Sequence, residues 1–100
     1  MTPREWIDEM ATETDARLLV MDGFDDCIVG IVTQFQRAFV VYDRAKVIAK
    51  LINEQGMTED EAWEFHEFNQ VGAFVGTSTP GFLDRAPRVM RVPENQQGAM

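Results

Sequence analysis

The feature that most constrains this chain is a break at Asp22-Gly23-Phe24-Asp25-Asp26, set between two apolar runs. Before it lies Arg17-Leu-Leu-Val-Met21, short enough for a strand. After it, Cys27-Ile-Val-Gly-Ile-Val-Thr33 is rich in β-branched residues and apolar on both alternating faces, as in a strand covered on both sides. Gly30 within this run points to a bulge or to the close approach of another backbone. In the break itself, Gly23 supplies an unusual backbone angle, the aspartates can bond nearby amides, and Phe24 is the group to turn inward. A polar connection over residues 34–37, interrupted by Phe35, leads to Phe39-Val-Val-Tyr42, which reads as a third strand. Loops this short favour antiparallel pairing, so residues 17–42 are expected to form a three-stranded antiparallel meander.

Helical signals flank that region. Thr2, Pro3 and Glu5 supply an N-cap, a proline at the first helical position and a capping-box acid, with Trp6, Ile7 and Met10 on one side. Asp43 reads as the N-cap of a second helix whose inner face is Val47, Ile48, Leu51 and Ile52, ending at Gly56. A third helix opens with the capping box Thr58 and Glu61, and Glu59, Asp60 and Glu61 sit where the helix dipole favours negative charge. Its inner side continues through Ala62, Phe65 and Phe68 or Asn69, and Gly76, Pro80 and Gly81 follow its end. Residues 84–100 have little apolar periodicity and contain Pro87 and Pro93. The expected architecture is α+β: one domain over residues 1–83 with a short N-terminal helix, a three-stranded antiparallel sheet, two C-terminal helices packed on it, and a loosely held tail over residues 84–100.

Charge narrows the function classes. The chain carries a net charge of −8. Residues 1–76 hold fifteen Asp and Glu against six Lys and Arg, so the acid sits in the folded part. Such a surface repels phosphates, which disfavours direct binding of nucleic acid. Cys27 is alone, so neither an intrachain disulfide nor a cysteine zinc site can be assembled. No secretory pattern opens the sequence, and no segment approaches the roughly 18–20 apolar residues a membrane span needs. A reducing, cytoplasmic setting is the expectation.

Several blocks occur in a characteristic order: Asp22-Gly-Phe-Asp-Asp26 running into an Ile-Val-Gly-Ile strand, Val41-Tyr-Asp43, Gly56-Met-Thr-Glu-Asp-Glu-Ala62, Glu67-Phe-Asn69, Gly72-Ala73 and Val75-Gly76. Over roughly residues 17–83 the chain resembles a group of small proteins of unknown function encoded by bacteriophages and prophages. The resemblance implies a phage-linked origin and expression inside a bacterial host, and it carries no catalytic residue across. Small acidic proteins of this origin are expected to act by occupying host proteins. One departure is His66, whose counterparts in the group are commonly aromatic, which argues against a histidine-based mechanism.

Three constellations carry chemistry. Asp22, Asp25 and Asp26 place three carboxylates in one turn, suited to a divalent cation such as Mg²⁺ or Ca²⁺ or to an acid–base pair. The competing reading makes them a structural corner, and their spacing does not fit an EF-hand loop. His66 with Glu64 and Glu67 is a weaker cluster, because adjacent helical residues point about 100° apart. Asn69, if core-facing, needs backbone partners and would pin its helix against the 22–26 turn, or else contact a ligand. The face formed by Glu59, Asp60, Glu61, Glu64 and Glu67 is either simply solvated or a partner-binding surface that imitates the phosphates of nucleic acid. Arg85, Arg88 and Arg91 could engage an acidic partner. The sequence contains no HExxH pair, glycine-rich phosphate loop or nucleophile motif. The leading expectation is thus a non-enzymatic binder or inhibitor of a host protein, without a cofactor. Its rivals are a small divalent-metal-dependent enzyme or ligand-binding domain built on the 22–26 turn, and a self-associating structural protein.

Overall fold

The computed structural model describes residues 1–14, 17–73 and 75–87. Helix α1 (Pro3–Thr14) starts at a reciprocal cap, with Glu5 N–H donating to Thr2 Oγ1 at 3.1 Å and Thr2 N–H donating to Glu5 Oε1 at 3.2 Å. A 3₁₀ turn (Asp25–Cys27) leads into β1 (Ile28–Gln34), β2 (Arg37–Asp43), α2 (Arg44–Gln55) and α3 (Glu59–His66). Residues Glu67–Val71 continue α3 as a π-helical turn, and β3 (Gly81–Leu83) closes the order. The fold is α+β, as the patterning implied. Asp43 caps α2 by accepting from Lys46 N–H, and Thr58 and Glu61 form the expected box at α3.

The sheet departs from expectation in one strand. Residues 17–21 are not a strand; the third strand is β3, which lies beside β2 in the order β1-β2-β3 and runs parallel to it. The sheet is therefore mixed. Short connections do make β1 and β2 antiparallel, but α2 and α3 supply the long crossover that a parallel neighbour requires. Residues 17–21 instead pack on the core through Leu18, Val20 and Met21, and Met21 N–H donates to the Tyr42 hydroxyl at 2.6 Å. Tyr42 is fully buried, so this bond satisfies its polar end inside the core.

The register sorts the sheet into two faces. On one, Ile28, Ile31, Val40, Tyr42 and Phe82 join Ile7, Phe24, Cys27, Val47, Leu51 and Ala62 in the core. Phe24 is buried, and Gly23 has φ +86°, so the corner is built as the sequence suggested. On the other face lie Val32, Phe39, Val41 and Leu83. The ring of Phe39 folds over Gly81, and Arg37 stacks on that ring at 5.5 Å, so Val41 is buried without a covering helix. On the same face, Val32 of β1 is 40% exposed.

Candidate partner-binding surfaces

The 22–26 corner is held by cations of the chain itself. Arg4 on α1 approaches Asp22 at 3.8 Å and Asp25 at 3.4 Å, while Lys50 on α2 donates to Asp26 at 2.9 Å. The bond from Lys50 holds the Asp26 carboxyl below its usual value, and that same bond raises the Lys50 ammonium. The three carboxylates are thus divided between two helices. Among the described residues no group of three or more His, Cys, Asp or Glu side chains converges as a metal cage. Beside them Cys27 is buried, and that burial, with the Asp26 charge, pushes its thiol up to about 11. A thiol so raised is a poor nucleophile.

His66 lies in the core. Its Nε2 faces Arg44 Nη1 at 3.2 Å and its Nδ1 faces Gln70 Oε1 at 2.6 Å, and its ring packs edge-on against Phe82 with centroids 4.6 Å apart. Glu64 and Glu67 are exposed and do not join it. Both ring nitrogens are occupied within the chain, so the histidine fastens α3 and its π turn to α2 and β3.

Asn69 is not core-facing. It is exposed, and its amide donates to the Phe65 carbonyl at 3.2 Å, one turn back in its own helix. The side chain points away because the π turn inserts an extra residue per turn and rotates the face that an α-helix would have buried. The turn is closed by Gly72 N–H donating to the Glu67 carbonyl at 3.0 Å. Asn69 and Gln70 instead edge a groove of about 300 Å³ whose apolar lining includes Leu19, Met21, Pro80 and Phe82.

A feature that sequence reasoning passed over closes the domain. Arg44 Nε bonds Asp84 at 2.9 Å and Arg85 Nε bonds Asp43 at 3.0 Å, so two Asp-Arg pairs clasp each other at the ends of the parallel strands. The repeated dipeptide at 43–44 and 84–85 was the available signal. Asp84 and Arg85, the first residues assigned to the tail, are thereby tied to the domain; Arg88 and Arg91 lie outside the described residues. Burial opposes the charged form of Asp43, yet the bond from Arg85 and the cap amides outweigh it and lower its carboxyl below the usual value.

The outer side of α3 is different in kind. Glu59, Asp60, Glu64 and Glu67 are exposed, and among the described residues their carboxylates have neither an ion pair nor a hydrogen bond. Glu61 is occupied by its cap, whose Thr58 N–H lowers the carboxyl. Within α3, Asp60, Trp63 and Glu64 follow the three-and-four spacing of one helical side, and the π turn that continues it adds Glu67, Phe68 and Val71 to the exposed surface. Phe68 is 75% exposed and Trp63 39%. Unpaired negative charge and open aromatic surface therefore alternate on one rigidly capped element.

Compared with known proteins, the chain matches no family model, no curated protein and no solved structure.

Proposed function

We propose that this protein is a phage-linked, non-enzymatic interaction protein that binds a basic surface of a host protein in the bacterial cytoplasm. The observation that carries this reading is the stripe on α3 and its π turn, where free carboxylates of Asp60, Glu64 and Glu67 alternate with exposed Trp63 and Phe68. Carboxylates steer a basic partner and set its orientation, while desolvated aromatic rings supply most of the affinity in protein interfaces. The capping box and the His66 anchor hold the stripe in place before binding, which reduces the ordering cost. By contrast, the aspartates of the 22–26 corner already face cations of the chain itself, Arg4 and Lys50.

The test is capture of a partner from bacterial lysate by the full chain, with Glu64→Lys and Glu67→Lys as charge-reversed controls and a titration of salt. Capture by the wild type that weakens with salt and is lost in both variants supports the reading. Equal capture by the wild type and the reversed variants removes it.

A further inference from the structure

β1 is an edge strand: beyond its first residue, where Ile28 N–H donates to the Asp25 carbonyl, nothing outside β2 among the described residues hydrogen-bonds its backbone. Natural edge strands are blunted by charges, prolines or bulges. This strand carries none of the first two: Ile28-Val-Gly-Ile-Val-Thr-Gln34 has no charged residue and no proline, and its irregularity between Ile28 and Gly30 lies at one end. The remaining pairs, Ile31 to Gln34 against Val40 to Arg37, are regular. Val29 and Val32 leave 42% and 40% of their surfaces open.

The hairpin tip adds a second unprotected apolar group. Phe35 is 93% exposed and has φ +55°, a backbone region that favours glycine. A bulky aromatic residue at such an angle costs energy that the fold alone does not recover, because its ring touches little. Charge then singles out the occupant. Between Asp26 and Asp43 the sequence contains no acidic residue, in a chain with seventeen of them. Two copies of a protein with net charge −8 repel through most approaches, but the β1–β2 hairpin itself brings no carboxylate to such a contact.

We infer that β1 pairs antiparallel with β1 of a second copy, joining two three-stranded sheets across a two-fold axis with Phe35 packed against the partner copy. Such an interface is self-complementary, since each copy offers the same edge and the same tip. Main-chain hydrogen bonds supply the pairing, and burial of Val29, Val32 and Phe35 supplies the apolar gain.

Sedimentation equilibrium of the full chain tests this. The wild type is expected to rise with concentration from 11.4 kDa toward a dimer, and raised salt should strengthen the association by screening the acidic surfaces. That salt response is opposite to the one expected for capture of a basic partner by α3, so the two ideas fail separately. Val32→Lys places like charges near the axis and is expected to weaken the dimer by about tenfold or more. Phe35→Gly removes the ring while relieving the positive φ, so it should weaken the dimer while leaving the monomer folded by circular dichroism. A wild type that stays monomeric over the whole concentration range overturns the inference and leaves this edge to another protein. A dimer of unchanged affinity in both variants overturns it as well.

Discussion

Arg44 Nη1 lies 3.2 Å from His66 Nε2, and this contact fixes the chemistry of the buried imidazole. A guanidinium only donates, so Nε2 accepts, the ring proton sits on Nδ1, and Gln70 must present its oxygen to it. The same Arg44 binds Asp84 and stands 5.8 Å from the Phe82 ring centre, so one side chain joins α2, α3 and β3.

The first consequence concerns shape against polarity at this position. His66→Ala leaves a cavity beside Phe82 and strands two polar partners, and is expected to cost about 2–4 kcal/mol in urea unfolding. His66→Phe should cost about 1 kcal/mol, because a phenyl ring keeps the edge-on packing and Arg44 retains Asp84. Equal losses in the two variants would show that the nitrogens, not the ring, hold α3.

Asp43 couples stability to pH with a definite sign. Its folded carboxyl is lowered relative to the ordinary value of 3.8, so on acidification the unfolded chain takes the proton first. Its stabilising contribution is full above about pH 4–5, and is lost as pH falls through 3.8 toward the lower folded value. Asp26 and Glu61 act in the same direction. Asp43→Asn keeps an N-cap acceptor but loses the charge pair with Arg85, so its deficit against the wild type should shrink in melts at progressively lower pH. Asp43→Ala also removes the cap, a loss of about 0.5–2 kcal/mol at neutral pH.

Cys27 should be silent in the native protein. With its thiol raised to about 11 and its side chain buried, an aromatic disulfide reagent at pH 8 is expected to label it only as fast as the chain opens. Full, rapid labelling is expected in denaturant. Rapid labelling of the folded chain would contradict the burial of the 3₁₀ turn.

Saturating Mg²⁺, Mn²⁺ or Ca²⁺ should leave the melting midpoint unchanged at matched ionic strength. Asp22, Asp25 and Asp26 are shared between Arg4 and Lys50, and an ion would have to displace those pairs. A ligand of the native state raises the midpoint, so a clear rise with any of the three cations would support the metal reading of the corner.

What the sequence made legible was local. Caps at Thr2, Asp43 and Thr58, the end of α2 at Gly56 and the inward turn of Phe24 each depend on a few neighbouring residues, and each is present. What it concealed was non-local. Residues 17–21 are as apolar as a strand, but their place was decided by Tyr42 and by β3, sixty residues away along the chain. Asn69 misled for a related reason: an α-helical period was projected through a turn that is π-helical. The roles of His66 and of the two Asp-Arg pairs required knowing that α2, α3 and β3 meet. Sequence grouped Asp22, Asp25 and Asp26 correctly as neighbours, yet gave no view of the cations that divide them.

Gly81 offers a test of the uncovered sheet face. A Cβ there would lie 3.0 Å from the Phe39 ring, tighter than most side-chain contacts, and 3.8 Å from Val41 Cγ2. Gly81→Ala must therefore push the Phe39 ring aside by a few tenths of an ångström, against the Arg37 side chain stacked on it. The expected cost is about 1–2 kcal/mol in urea unfolding, the usual range for an overpacked site. Phe39→Ala alone should destabilise by a comparable or larger amount, since it exposes Val41 directly. In the double variant the two losses should not add, because without the ring the new methyl group has nothing to strike. Strict additivity in that cycle would mean that Phe39 does not cover Gly81, and that this face of the sheet is held in some other way.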